Sequence, residues 1–223
     1  MSTFLIGDTH FYHANIIKYC DRPFATVAEM NECIIENWNR TVGQLDTVFV
    51  LGDFAFCGKN GVIDIGNKLH GKKTLILGNH DDASIKTYYD AGFEFVSKYP
   101  ILYKDFYVLS HYPQYIQNNG VYANIFAHVH NNPMYTNFSS RSFCASAERI
   151  NYTPIDFDEI ISKMESVESV QEPEADKAED SLCPCWEYDR NLNRCVCTGT
   201  KEREVCNCAG YQSICDFYPE KRK

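Results

Sequence analysis

The apolar positions of this chain fall into two alternating rhythms. Short runs rich in β-branched residues, "TFLIGD" (3–8), "TVFVLGD" (47–53) and "KTLILGN" (73–79), read as buried strands, each stopped by a glycine and a polar residue. Between the first two, Val27, Met30, Ile34 and Trp38 recur at helical spacing on one face, behind a capping box of Thr26 and Glu29. A second helix is expected to end near Gly71, and a third, "SIKTYYDAG", near Gly92. From Phe93 to Val129 the rhythm is of strands without long helices, among them "YVLSHYP" and "NIFAHVH". Strands alternating with helices and then following one another predict a layered α/β domain with more than one kind of sheet connection.

These strands end in chemistry. "LILGNHDD" (75–82) carries a core strand straight into Gly78, Asn79, His80, Asp81 and Asp82. A plain turn uses the glycine and the asparagine but has no need of the histidine. The first strand ends at Asp8 and His10, the second at Asp53 after Gly52, and the two later ones at His111 and at His128 with His130. Five of the seven histidines stand at strand ends, and loops at one edge of an α/β sheet converge into a site. Singly, each has an ordinary structural reading: Asp8 capping a helix, Asn79 holding a turn, His111 bonded to backbone in the core, His128 and His130 on one face of an exposed strand. Together they favour a single constellation.

Composition divides the chain. With 223 residues, 44% of them hydrophobic, there is room for one ordinary domain and a small appendage. No apolar run approaches the ~18 residues that span a bilayer. "MSTFLIGD" lacks the features of a signal peptide, so the expected compartment is the cytoplasm, with no membrane partner. Net charge is −5 over residues 1–165, −5 over 166–182 and +1 over 183–223. The middle piece, "SVESVQEPEADKAEDSL", is acidic and without an aromatic residue, which predicts a flexible linker. An acidic body also speaks against nonspecific binding to duplex phosphates. Cys20, Cys33, Cys57 and Cys144 are scattered through the first part and read as buried free thiols.

The ordered set D-x-H, G-D, G-N-H-D, H and H-x-H resembles the calcineurin-like metallophosphoesterase family over about the first 165 residues. The stretches "GDTHFYHANIIKYCDRPF" and "LGDFAF" are similar to its small bacterial and phage phosphoesterase or phosphohydrolase branch, with Ala127 where the family usually has glycine. The resemblance implies a four-layer α/β/β/α sandwich of two mixed sheets flanked by helices. It further implies two divalent metal ions, one held by Asp8, His10 and His130, the other by Asn79, His111 and His128, with Asp53 bridging. Mixed nitrogen and oxygen ligands suit manganese, iron or zinc. Such a pair of ions, ~3.5–4 Å apart, can hold a bridging hydroxide for in-line attack on phosphorus. By the same resemblance His80 is the catalytic histidine that assists the leaving oxygen, with Asp81 orienting its ring.

Other polar residues are weaker candidates. His13, Arg22 and Arg141 are read as residues that touch either the ligands or the substrate, the two arginines there as phosphate clamps, or else as a surface histidine and solvated arginines. Only 16 residues separate His111 from His128, too few for a capping domain, so the expected groove is open to a nucleotide, a phosphoprotein or a nucleic-acid end. The aromatic-rich "YPQYIQNNGVY" (112–122) is expected to form one wall of it.

The tail is a separate matter. Cys183, Cys185, Cys195, Cys197, Cys206, Cys208 and Cys215 crowd into residues 183–223, mostly as C-x-C pairs. In a cytoplasmic protein this density predicts a small metal-stapled module, with zinc as the simplest occupant, engaging a partner or nucleic acid. Two functions are thus in competition: hydrolysis of a phosphomonoester or phosphodiester, or a noncatalytic metal-stabilised scaffold whose tail does the binding. The H-D pair at 80–81 favours the first.

Overall fold

The computed structural model describes residues 1–117, 120–136, 139–166, 186–189 and 194–197. Its first nine strands and five helices run β1 (Thr3–Ile6), α1 (Ile16–Tyr19), α2 (Val27–Thr41), β2 (Thr47–Val50), α3 (Lys59–Lys68), β3 (Lys72–Ile76), α4 (Ile85–Asp90), β4 (Phe93–Ser97), β5 (Ile101–Tyr103), β6 (Tyr107–Leu109), β7 (Ala123–Phe126), β8 (Ser142–Cys144), β9 (Ile155–Asp156) and α5 (Phe157–Ser166). The strands form two mixed sheets, in the orders β4-β3-β2-β1-β9 and β5-β6-β7-β8. In the first, β1 to β4 are parallel and β9 runs antiparallel to β1. In the second, β6, β7 and β8 are parallel and β5 is antiparallel.

Local sequence accounts for several of the helix boundaries. Thr26 Oγ1 accepts the Glu29 N–H at 3.2 Å and caps α2, whose Met30, Ile34 and Trp38 are fully buried. Burying Met30 and Ile34 contributes about 1.5–3 kcal/mol each. The capping box differs from expectation in one detail: the Glu29 carboxylate accepts from Ala25 N–H, one residue earlier than the cap itself. Ser84 caps α4 by accepting from Thr87 N–H, and α4 ends two residues before Gly92, as α3 ends three before Gly71. Cys33 and Cys57 are only half-buried, a correction to the expectation for all four front cysteines; Cys20 and Cys144 are buried, and all four are free thiols.

Parallel pairing brings the C-terminal ends of β1, β2 and β3 to one edge, and the sheets join at that edge. Gly7 N–H donates to Ala145 O at 2.8 Å and Ala147 N–H to Gly7 O at 3.0 Å, so the continuation of β8 pairs with the continuation of β1. An edge-to-face contact of Tyr103 with Phe49 fastens the sheets elsewhere, and Tyr103 and Tyr107 both meet Phe157 of α5 edge to face. Ala127 lies at the join. A Cβ on Gly7 would collide with the Ala127 methyl, so the space that methyl occupies exists because residue 7 has no side chain.

The chain separates into two units, residues 1–170 and 171–223. In the second, β10 (Trp186–Asp189) and β11 (Arg194–Cys197) pair antiparallel, with Trp186 opposite Cys197. The expected linker and the sulfur atoms of the expected cysteine module lie outside the described residues. No helix among the described residues is long and apolar enough to cross a membrane.

Candidate metal centre

The strand ends converge through backbone that folds back on itself. Asp8, His10, Asp53, His128 and His130 all have positive φ, from 49° to 73°. For residues other than glycine that conformation costs ~1–3 kcal/mol each and persists only where the surroundings hold it. Here cross-strand bonds do so: Asp8 N–H to Gly52 O at 3.0 Å, His10 N–H to Asp53 O at 2.9 Å, and His128 N–H to Asp8 Oδ2 at 2.7 Å. Glycine is required at 52 and 78 for closeness. A Cβ on Gly52, whose φ is +86°, would sit 2.5 Å from His111 Nδ1, and one on Gly78 would strike the Asp53 carboxylate.

Two candidate ligand groups result. Asp8, His10 and His130 each offer an atom within 4.8 Å of the others, and so do Asp53, His111 and His128. Asp53 faces both groups, its Oδ2 lying 3.5 Å from His10 Nε2 and 3.6 Å from His111 Nε2. His111 Nδ1 bonds to the Leu51 carbonyl at 2.8 Å, which assigns that nitrogen the proton and leaves Nε2 a lone pair. Nε2 nevertheless lies 3.0 Å from Asn79 Oδ1, another acceptor.

The same deficit of positive charge appears in the unpartnered atoms. Asp8 Oδ1 and His10 Nε2 are buried with no hydrogen-bond partner among the described residues. Burial pushes the Asp8 carboxyl up to about 7, against the pull of the His130 charge. Burial, together with the charges of His130 and Arg22, pulls His10 down to about 2, so its ring is a neutral donor of electron pairs. Burial also raises Asp53 and lowers His111 and His128. Buried carboxylates and neutral imidazoles aimed at one space, with orphaned lone pairs, fit divalent cations.

His80 stands beside these groups. Its backbone N–H donates to Asp53 Oδ1 at 2.9 Å, and its half-buried ring lies 5.5 Å from that of His10. His13 is adjacent: its Nδ1 is 3.3 Å from His10 Nδ1, and its ring stacks on Phe56 at 4.4 Å. Tyr112, half exposed, sets its ring 4.6 Å from that of His128; residues 118 and 119 of the 112–122 stretch lie outside the described residues.

Three expectations are corrected. Asp81 is not turned to the His80 ring; Oδ2 accepts the N–H groups of Asp53 and Gly78, both at 2.8 Å, and Oδ1 accepts that of Phe54 at 3.0 Å and the Tyr88 hydroxyl at 3.3 Å. Arg22 is no phosphate clamp, being 4% exposed with its guanidinium on Glu148 Oε1 and on the carbonyls of Asp8 and Thr9. Arg141 precedes β8, at the end of the second sheet opposite to His128, and its guanidinium lies over the Phe106 ring. Sequence reasoning missed Glu148 altogether. It lies in no motif; its one local signal is an acidic residue just beyond a buried strand, "SFCASAE".

The sequence model described as calcineurin-like phosphoesterase matches residues 1–177. The uncharacterized protein MJ1445 of Methanocaldococcus jannaschii is 35% identical over 171 residues, 73% of this chain and 90% of that protein. The Gene 66 protein of Mycobacterium phage D29 is 37% identical over 78 residues, 34% of this chain and 38% of the phage protein. Among solved structures, AQ665 of Aquifex aeolicus, a protein of unknown function, aligns with a TM-score of 0.54 at 26% identity, covering 73% of this chain and 98% of its own.

Proposed function

Because the chain belongs to the calcineurin-like phosphoesterases, metal-dependent hydrolases that generally use two divalent ions, we propose that it hydrolyses a phosphomonoester or phosphodiester at this centre, with His80 assisting the leaving oxygen. Asp8, His10 and His130 would hold one ion, Asn79, His111 and His128 the other, and Asp53 both. Bound there, the ions would supply an activated water and neutralise phosphoryl oxygens. The observation that carries the reading is the pair of buried, unpartnered atoms, Asp8 Oδ1 and His10 Nε2, on a carboxylate and a neutral imidazole that face the same space.

The chain's own groups divide the remaining work. Asp53 uses one oxygen to hold the His80 backbone N–H, and turns the other to the two ligand groups. That bond fixes the backbone of His80 relative to the centre, so its imidazole can deliver a proton to, or hydrogen-bond, the departing oxygen. His13, stacked on Phe56, and Tyr112, beside His128, stand near the candidate ligands, and the substrate class proposed is a nucleotide, a phosphoprotein or a nucleic-acid end.

The test is turnover of p-nitrophenyl phosphate and of its bis ester, with and without Mn²⁺ and after chelation. Manganese-dependent release of nitrophenol from either is expected, and their ratio ranks monoester against diester. Turnover of neither substrate with metal bound would instead favour the noncatalytic scaffold.

A further inference from the structure

His130 is the candidate ligand that the second sheet brings to Asp8 and His10, and it is gripped by two consecutive residues no motif contains. Glu148 and Arg149 lie in the 3-10 turn Ala147–Ile150, which follows β8. The Glu148 side chain is 4% exposed, and its Oε1 accepts His130 Nδ1 at 2.9 Å, Arg22 Nε at 2.9 Å and Arg22 Nη2 at 2.6 Å. Arg22 in turn donates to Asp8 O at 2.7 Å and Thr9 O at 3.0 Å. Arg149 Nε donates to the His130 carbonyl at 2.6 Å. One side chain therefore holds the ring and its neighbour the backbone, at a residue whose φ is +50°.

We infer that Glu148 is a positioning residue for the metal centre: its carboxylate holds the proton on His130 Nδ1, leaving Nε2 to bind metal beside Asp8 and His10, while Arg149 fixes the backbone. An ionised carboxylate only accepts, so the nitrogen facing it must carry the hydrogen. Partners of this kind orient a ligating imidazole and raise its basicity. The Arg22 link ties the same carboxylate to the backbone of Asp8, so one group registers ligands from both sheets. Cys20, His130 and Glu148 also have atoms within 4.8 Å of one another, the spacing of a further cation site. The Arg22 guanidinium already supplies the positive charge there, which argues for a positioning network and against another ion.

The inference depends on the phosphoesterase reading through His130, and the experiment separates the two. Manganese binding is measured by calorimetry on wild type, H130A, E148A and E148Q, and the His130 ring nitrogens are followed by ¹⁵N NMR in the zinc-loaded protein. E148A is expected to weaken one of two ions by ~10–100-fold and to lose the Nδ1–H signature. E148Q keeps an acceptor at the Oε1 position and is expected to retain the signature and recover part of the affinity. Unchanged affinities and an unchanged tautomer in folded E148A overturn the positioning role. Failure of wild type to bind manganese, or full binding by H130A, would instead overturn His130 as a ligand, and the inference with it. If E148A does not fold, E148D replaces it: the shorter side chain withdraws the acceptor, so it must bind manganese more weakly than E148Q, and equal binding overturns the role.

Discussion

The Asp8 carboxylate accepts the backbone N–H of His128 at 2.7 Å, joining the end of β1 to the loop after β7 across 120 residues of sequence. The same carboxylate keeps its other oxygen buried and without a hydrogen-bond partner among the described residues. It is thus a structural clasp and a candidate ligand at once, and the two roles respond oppositely to loss of charge. Burial pushes this carboxyl up to about 7, so at pH 8 its ionised form is a burden on the metal-free fold. Asp8→Asn keeps an acceptor for His128. It is expected to raise the Tm of the chelated protein by a few degrees and to reduce the rise in Tm that Mn²⁺ gives wild type. A lower Tm in the chelated variant would contradict this.

His80→Ala should leave manganese binding intact and lower kcat by ~10²–10⁴-fold. The loss should be larger with phenyl phosphate than with p-nitrophenyl phosphate, because the more basic phenolate needs the proton more. Near wild-type kcat on phenyl phosphate removes His80 from this role.

Asp81→Asn tests the corrected assignment. One side-chain oxygen becomes an NH₂ group facing backbone N–H donors, at a cost of ~1–3 kcal/mol. Several degrees of lost Tm are expected, with the pH–rate profile in its wild-type position. A shifted profile with unchanged Tm would restore a His80–Asp81 dyad.

The metal-free protein should lose stability between neutral pH and pH 10. Burial alone would lower His130, but bonds to Cys20 and Glu148 and the charge of Asp8 push it up to about 10 from 6.5. A raised group stabilises fully below its unfolded pKa, so this contribution is lost as pH climbs from 6.5 towards 10. Glu148 has the opposite sign. Burial opposes its ionisation, but the His130 bond and the Arg22 charge hold it below its usual 4.5, so its contribution is lost in acid. Thermal melts in chelator should therefore show a lower Tm at pH 9.5 than at pH 7, with a smaller difference in E148A. Parallel curves for the two proteins would count against the coupling.

Gly7→Ala should destabilise by ~1–3 kcal/mol through overpacking against the Ala127 methyl. Adding Ala127→Gly should return part of that loss, since the two sites touch. Leu51 Cβ remains 3.2 Å from the new methyl, so recovery will be incomplete. Additive losses in the double variant would show that the two positions do not share this space.

What the sequence determined by itself was everything written in short-range pattern. Short continuous apolar runs marked β1 to β3 and period-3.6 apolar spacing marked α2, because burial is a local constraint on residue type. Glycine followed by Asp8, Asp53 or Asn79 marked the strand ends, because tight turns and ligands both restrict residue type. The tertiary structure alone decided what faces what. Asp81 was legible as part of a motif, but not its hold on amides of another strand end, since backbone N–H groups leave no trace in residue identity. Arg22 read as a free cation until Glu148, 126 positions away, was folded against it. Glu148 stayed unread for the same reason: its chemistry lies in the proximity of His130, and proximity across two sheets is a property of packing and of no single stretch of chain.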